Sequence, residues 1–383
     1  MKKLLACIWI IALCLTLLLY SIFEETTPTP TATPDEAIPL QSTYQKEPVT
    51  ELYFLNGQPV LQLLWDELTA EFAQQTGIYI TTVSSQENLG GKAPTLFSVS
   101  HPRELGQWSC LDLSDTLACA NLASPDFTIQ KGDQIWGIAS EAEPFGLIYN
   151  STLLAQLGYT ENDIRTFRDL QILVQLVKDR QDLLTFGAFA RPDDAGHFAN
   201  LLSAVSEDIR PFWDLYRKHM TPGTLSDGTA LFQIGTLTDM VRLSAGGKLQ
   251  LRMLPLYTGA PGEENRGLSC FGKHYWCIRA DAPEEEIAGA LAFLNFLISP
   301  GPDGTVPVDD LGILSPYRQA TYANNPVAQQ LRQNIATGKV LTVCGAEPQY
   351  ASGYAQALLT YASTPTDANW LAVLKAKNNL PAP

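Results

Sequence analysis

The sequence predicts an α/β fold with more than one compact core. Short apolar runs typical of strands alternate with longer stretches that repeat apolar residues at helical spacing. The 383 residues are 45% hydrophobic and 17% charged, which is a globular composition. Because this length exceeds what one hydrophobic core usually supports, we expect two domains or lobes.

The first predicted elements begin near residue 50. Residues 50–55 form an apolar run that predicts a strand, and the sequence Asn-Gly-Gln-Pro at 56–59 ends it. A helix is predicted next, with Gly77 as its C-terminal cap, and residues 78–83 and 95–99 predict two further strands. This order predicts a parallel sheet with helical crossovers. The helical stripe consists of Leu61, Leu64, Trp65, Leu68 and Phe72.

Later elements continue the alternation. Residues 136–138 and 147–149 predict two separate strands, and Thr166 caps a predicted helix. Pro283, followed by three glutamates, has the pattern of a helix start. Residues 353–377 predict two more helices, so helices are expected up to the end of the chain.

The N-terminal residues 1–23 predict a membrane anchor or signal segment. Lys2 and Lys3 precede an apolar run of about 30 Å in helical form, enough to cross a bilayer core. The lysines predict that the remainder lies outside the cytoplasm. An uncleaved anchor fits best, while a lipid anchor at Cys14 and a cleaved signal peptide stay open as alternatives. Residues 24–47 form a Thr/Pro-rich stalk that is expected to be extended and semi-rigid.

Five cysteines follow the apolar run, and none belongs to a C-x-x-C pair. Two short-range pairs are candidates for disulfides, Cys110 with Cys119 and Cys270 with Cys277. Small buried hydrophobic residues are the alternative interpretation. The fifth, Cys344, has no candidate partner, because an odd number leaves one cysteine unpaired.

Charge and motifs exclude several classes of function. The net charge of -15 argues against nucleic acid, whose binders need a basic surface, and favours a neutral or cationic ligand over an anionic one. The sequence has no G-x-S-x-G, H-E-x-x-H, G-x-G-x-x-G or phosphate-cradling loop. Its four histidines lack metal-ligand spacing, so we expect no metal, no cofactor and no catalytic residues.

Several short segments after the stalk form an ordered set. They are GDQIWGIA at 132–139, FGLIYN at 145–150, TFRDL at 166–170, LFQIG at 231–235 and FLNFLIS at 293–299. The set resembles the sugar-type (family 1) extracellular solute-binding proteins of ABC importers, over most of the chain after the stalk. Ala139 stands where that family usually has proline.

The resemblance implies a two-lobed periplasmic-binding-protein-like fold of type II, with three hinge crossings. The crossings are expected near 138–146, 256–267 and 311–315. Residues 48–140 plus 268–312 are expected to form lobe 1, and residues 141–265 plus 313–383 lobe 2. Such a hinge allows lobes to close on a ligand.

Candidate ligand-binding residues lie in loops beyond strand ends and at the crossings, where α/β sheets bind ligands. Two candidates follow the first predicted strand, and two follow the third. For the two after the first strand, a plain turn is the alternative interpretation. Glu141 and Glu143 lie at the first crossing, two residues apart on one strand face; solvated hinge charges are their alternative. The strand-loop candidates are Asn56, Gln58, Ser100 and His101.

Aromatic and imidazole side chains complete the candidate set, because sugars present an apolar ring face and hydroxyls. Phe271 and His274 lie in a segment resembling the family's Gly-rich strand entry. Tyr350 and Tyr354 lie in a segment resembling the one that carries an aromatic stacking residue.

The predicted function is a monomeric, membrane-anchored receptor on the outer face of a bacterial cell membrane. It captures a small polar solute, a sugar or oligosaccharide, by hinge closure and docks on an ABC permease. A ligand-sensing domain uncoupled from transport is one alternative. An extracytoplasmic glycoside hydrolase is the other, with Glu141 and Glu143 as its carboxylates.

Overall fold

A computed structural model describes residues 50–191, 195–244, 249–302, 304–318, 329, 341–342 and 352–380. Residues from Pro48 onward form one compact unit. The predicted anchor and stalk lie outside the described residues, as do Tyr350 and Cys344. Among the described residues, no helix has the length and apolar content needed to cross a membrane.

The strands of the described residues join in a single mixed sheet, in the order β2-β1-β3-β10-β5-β8-β6-β7. Strands β4 and β9 pair with β5, and β11 pairs with β10. The strands are β1 (Glu51–Leu55), β2 (Tyr79–Val83), β3 (Leu96–Val99), β4 (Thr128–Lys131), β5 (Gln134–Asn150), β6 (Gly187–Ala190), β7 (Met220–Thr221), β8 (Ala230–Thr236), β9 (Leu251–Leu254), β10 (Ser269–Ile278) and β11 (Leu341–Thr342).

Helices connect and cover these strands, so the predicted α/β class is confirmed. In chain order they are α1 (Gln62–Thr76), α2 (Leu117–Ala120), α3 (Ser151–Gln156), α4 (Phe167–Asp179), α5 (Ala195–Ser203), α6 (Arg210–Lys218), α7 (Leu237–Ser244), α8 (Glu284–Ile298), α9 (Ser352–Ser363) and α10 (Asp367–Asn378).

Local sequence explains where two of these helices begin and end. Helix α1 ends at Gly77, which adopts a left-handed conformation with φ 75° that glycine reaches without strain. Helix α4 begins after Thr166, whose hydroxyl accepts from the backbone N–H of Asp169 while the Asp169 carboxylate accepts from that of Thr166. This reciprocal capping box satisfies two backbone donors at the helix start.

Two large hydrophobic cores lie at opposite ends of the sheet order. The first draws its buried residues from 52–142 and 270–317, and the second from 145–257 and 354–373. The chain therefore passes from one core to the other within β5 and again between 257 and 270. A third passage lies between 317 and 354, largely outside the described residues. The exact lobe boundaries stay a prediction.

Strand β5 differs from the sequence prediction of two separate strands at 136–138 and 147–149. It is one continuous strand of 17 residues that serves both cores. The backbone N–H of Ala142 donates to the carbonyl of Leu314 at 2.7 Å, so the segment predicted as the third crossing runs beside β5. The middle of β5 contains polar residues and Pro144, a composition typical of a loop. Pairing with β10 nevertheless keeps this part of β5 extended.

Candidate functional site

The carboxyl ends of strands from both cores point at the same stretch of β5. Strand β3 ends at Val99, which pairs with Tyr275, and Tyr275 in turn pairs with Ala139. Strand β8 runs antiparallel to β5 and ends at Thr236, opposite Phe145. Residues 140–144 and their β10 partners therefore lie where ligands bind in α/β sheets. We refer to residues 140–144 and 271–274 as the crossing floor.

Glu143 occupies the centre of the crossing floor and is only 2% exposed. Its carboxylate accepts from the backbone N–H and the hydroxyl of Thr238 at 2.8 and 2.9 Å, near the start of helix α7. Lys273 donates to the same carboxylate at 2.9 Å. Burial lowers the pKa of Lys273, but Glu143 and Glu141 more than offset this, so the pKa is raised overall. Through these bonds Glu143 connects strands β5 and β10 to helix α7.

Glu141 lies beside this pair and keeps partial access to solvent. Its side chain is 16% exposed, and Glu141 Oε2 lies 3.7 Å from His274 Nε2. Burial and, to a smaller extent, contact with Glu143 raise the pKa of Glu141 to about 7, against the attraction of Lys273. Near neutral pH, the carboxyl of Glu141 is therefore present both with and without its proton, able to donate or accept a hydrogen bond.

His274 has a backbone conformation that β-strand residues rarely adopt. Its φ is 50°, in the left-handed region, and its carbonyl accepts from the hydroxyl of Ser140 at 2.9 Å. Burial and the nearby Lys273 lower the pKa of His274 to about 4, so its imidazole is neutral at pH 7. Non-glycine residues held in such conformations cluster at functional sites. A neutral imidazole offers one donor and one acceptor.

Asn56 and Gln58 turn inward to their own half of the molecule. Asn56 is fully buried; its amide oxygen accepts from the backbone N–H of Gln58 at 2.7 Å, and its amide nitrogen donates to Gln62 at 3.0 Å. The side-chain oxygen of Gln58 accepts from the indole of Trp65 at 3.3 Å. These bonds fix the loop after β1, so the two side chains support the edge of the site.

Ser100 and His101 lie directly after β3, at the edge of the crossing floor. Ser100 is exposed, and its backbone N–H donates to the carboxylate of Glu104 at 3.0 Å. His101 caps the following short helix by accepting from the backbone N–H of Arg103 at 3.3 Å. Their contact with a ligand stays a prediction.

The two aromatic candidates within the described residues, Phe271 and Tyr354, have different surroundings. Phe271 is half-buried on β10 and stacks on Phe145, with ring centroids 4.7 Å apart. Tyr354 is 1% exposed in the second core, where burial raises its pKa and its hydroxyl has no hydrogen-bond partner. Tyr350 lies outside the described residues. Phe271 therefore lies on the crossing floor, whereas Tyr354 lies in the second core.

Sequence reasoning did not select Lys273 or Thr238, the two partners of Glu143. They are 130 and 95 residues from it along the chain. The one available signal for Lys273 was a cation between the candidates Phe271 and His274, shortly after the predicted second crossing at 256–267. Nothing in the local sequence of Thr238 indicates the contact.

The second core contributes a cavity of about 540 Å³ beside the carboxyl ends of β6 and β7. Arg191 and Thr221 lie at those strand ends, and Phe198, Trp213 and Leu358 line the interior. A larger groove of about 900 Å³ lies between α4 and α6. Its walls are mainly helix surfaces, whereas the smaller cavity lies at strand carboxyl ends, so the smaller cavity is the better candidate for an extension of the site.

No cluster of three or more His, Cys, Asp or Glu side chains within the described ranges has the arrangement to hold a metal ion. The acidic pair at the crossing floor is also unlike a glycosidase pair. Glu141 and Glu143 project from one strand, and Glu143 is already committed to Lys273 and Thr238. Glycosidase carboxylates instead flank the bond to be cleaved.

Neither a protein-family model nor a curated protein matches this sequence. Solved structures do match its fold. Apo RafE from Streptococcus pneumoniae is 14% identical with a TM-score of 0.64, covering 88% of this chain and 98% of that one. A family 1 extracellular solute-binding protein from Bifidobacterium longum subsp. infantis is 14% identical with a TM-score of 0.63, covering 86% and 97%.

A cyclic α-maltosyl-1,6-maltose binding protein from Arthrobacter globiformis is also 14% identical, with a TM-score of 0.63 and coverage of 86% and 99%. RafE has in addition been solved in complex with raffinose, and that structure matches with a TM-score of 0.57. These likenesses confirm the predicted two-lobed solute-binding-protein fold. The proteins named are binding proteins, and they are extracellular or bind sugars.

Proposed function

We propose that this chain is the extracytoplasmic substrate-binding component of an ABC importer and that its ligand is a sugar or oligosaccharide. The observation that carries the proposal is the convergence of strand ends from both cores on one polar floor. The ligand would lie on that floor, between the two halves. It would be released to a permease in the membrane.

The charge state of the crossing floor favours an uncharged ligand. Glu143 and Lys273 neutralise each other at 2.9 Å, and His274 is neutral at pH 7 because burial lowers its pKa to about 4. Glu141, with a pKa of about 7, carries only part of a negative charge. A floor of neutral donors and acceptors suits the hydroxyl groups of a carbohydrate better than it suits an ion.

An aromatic surface accompanies these polar groups. Phe271 is half-buried and its ring is held parallel to that of Phe145, at an interplanar angle of 17°. Sugar rings have an apolar face that stacks on such side chains, and raffinose is the ligand of the similar RafE structure. The cavity at Phe198 and Trp213 would accommodate further sugar units of an oligosaccharide.

Hinge closure would depend on how strands β5 and β10 are attached to the second core. Because Glu143 binds Lys273 on β10 and Thr238 at α7, the two strands and this helix are expected to move as one body. Bending would then be concentrated on the first-core side, near Ser140 and His274. A ligand shifts the equilibrium only if it binds the closed form more tightly than the open form.

Isothermal titration calorimetry of the full chain against a glycan panel tests the proposal. The panel contains raffinose, stachyose, maltotriose and galactose, with spermidine and a tripeptide as non-sugar ligands. Binding of at least one sugar is expected, and Glu141→Gln should raise its dissociation constant about tenfold, because an amide NH2 replaces a carboxyl oxygen that would accept a hydrogen bond from a sugar hydroxyl. Glu67→Gln, which changes an exposed carboxylate on α1, is the matched control and should bind normally.

Binding of spermidine or the tripeptide with no binding of any sugar would overturn the carbohydrate assignment. Coupling to transport is tested separately in membrane vesicles that contain the cognate permease. Sugar binding without stimulated ATP hydrolysis would favour the ligand-sensing alternative. Removal of residues 1–25 should release the chain from membranes, since residues 1–23 are proposed as its anchor.

A further inference from the structure

The structure brings together two cysteines that the sequence did not pair. Cys270 and Cys277 lie near the two ends of β10, seven positions and about 23 Å apart along the strand. A disulfide requires α-carbons within about 7 Å, so the predicted pairing of Cys270 with Cys277 is wrong. Cys277 instead lies next to Cys110.

The backbone explains this proximity. Cys110 forms an antiparallel bridge with Arg279, and the backbone N–H of Leu111 donates to the carbonyl of Ile278 at 2.8 Å. Cys277 is two residues from Arg279 and therefore projects from the same face of the sheet. Cys110 and Cys277 are thus diagonal neighbours on one face, both as free thiols, with α-carbons about 7 Å apart, which is the outer limit for a disulfide.

Both thiols are enclosed in the first core. Cys110 is 6% exposed and Cys277 is fully buried. The sulfur of Cys277 lies above Gly137, where an added β-carbon would come within 2.9 Å of it and force a shift. The two side chains interact directly: contact with Cys277 lowers the pKa of Cys110, and burial raises the pKa of Cys277.

We infer that Cys110 and Cys277 form a disulfide bond in the mature protein. The inference rests on the proposed location outside the cytoplasm, because disulfides persist in oxidising compartments. It does not depend on which ligand is bound.

Thiol–disulfide exchange supplies the chemistry, with the disulfide of an exported oxidoreductase as oxidant. The thiolate of Cys110 attacks that disulfide, forms a mixed disulfide and expels one oxidant thiolate. The thiolate of Cys277 then attacks the sulfur of Cys110 and expels the second. The chain loses two electrons and two protons, and the oxidant gains them as two thiols. The exchange takes place while the chain folds, before the pair is enclosed.

The bond would join the segment before α2 to the strand that carries the crossing floor. It closes a long loop, and long loops lose the most conformational entropy in the unfolded chain when they are cross-linked. Its expected role is to hold the amino-terminal half of the first core against β10 while the hinge moves.

Mass spectrometry tests the inference. The full chain is exported, quenched with N-ethylmaleimide, denatured in the same reagent without reductant, and digested. We expect a cross-linked peptide pair containing Cys110 and Cys277, two hydrogens lighter than the sum of its parts. Cys119 and Cys270 should be alkylated in the same sample and serve as internal controls.

A thermal melt gives an independent readout. Reductant should lower the melting midpoint of the wild-type chain by several degrees and leave the midpoint of the Cys110→Ser/Cys277→Ser double variant unchanged. The inference is overturned if Cys110 and Cys277 are both alkylated before reduction, or if either is cross-linked to another cysteine. Neither outcome would affect sugar binding, so failure here is distinguishable from failure of the proposed function.

Discussion

Replacing Glu141 by glutamine should make the chain more stable than the wild type at neutral pH, but not at acid pH. The folded state raises the pKa of this carboxyl from 4.5 to about 7, mainly through burial. Below pH 4.5 both the folded and the unfolded chain hold the proton, so the carboxyl adds no pH dependence. Between pH 4.5 and 7 the unfolded chain releases the proton while the folded chain keeps it, and wild-type stability falls.

The size of the effect follows from the two pKa values. A difference of about 2.5 pKa units, at about 1.4 kcal/mol per unit, amounts at most to about 3.5 kcal/mol. The side chain is 16% exposed, so solvent screens this energy only slightly. Glutamine has no proton to release and retains the shape of the protonated side chain. The variant should therefore gain about 3 kcal/mol on the wild type between pH 4.5 and pH 7.5.

Urea denaturation of both proteins at half-unit steps from pH 4.5 to 8 measures this difference. His274 has the opposite pH dependence, because its lowered pKa favours folding above about pH 6.5, but it is present in both proteins and cancels in the comparison. A stability difference that stays constant across this range would refute the reasoning. It would mean that Glu141 is ionised in the folded chain and solvated like an ordinary surface carboxylate.

Two further substitutions test the packing of the crossing region. Glu143→Gln removes the charge that binds Lys273 and should destabilise the chain by about 2–3 kcal/mol in urea at pH 7; a loss below about 0.5 kcal/mol would contradict the buried tie. Gly146→Ala places a β-carbon 2.2 Å from the carbonyl oxygen of Leu254 and should cost about 3 kcal/mol. Gly106→Ala meets no atom within 4 Å and should change stability by less than about 0.5 kcal/mol, so equal effects of the two alanines would contradict the packing.

Local signals predicted the first three strands and the helices α1, α4, α8, α9 and α10. The apolar stripe and Gly77 delimit α1, and Thr166 with Asp169 begins α4, because capping and periodicity depend on residues within one or two helical turns. The same signals failed for β5. Its centre contains Glu141, Glu143 and Pro144, and it is extended only because β10 and the Leu314 segment pair with it.

The sequence selected several residues that the structure brings together at the crossing floor, but it did not give the role of each. The rule that ligands lie beyond strand carboxyl ends selected the crossing, where Glu141 and His274 meet. It could not separate Glu141 from Glu143, since their different roles depend on Lys273, 130 residues away from Glu143. Asn56 points inward because its amide nitrogen donates to Gln62 at the start of α1, only six residues away in the sequence.

Hydrogen exchange of the full chain tests the central claim most directly. The measurement compares the chain alone with the chain in a saturating mixture of raffinose, stachyose, maltotriose and galactose. We predict slower exchange in residues 139–145 of β5 and 270–275 of β10, where the ligand and closure would exclude water. Unchanged exchange in both segments, with or without protection elsewhere, would contradict a carbohydrate site on the crossing floor.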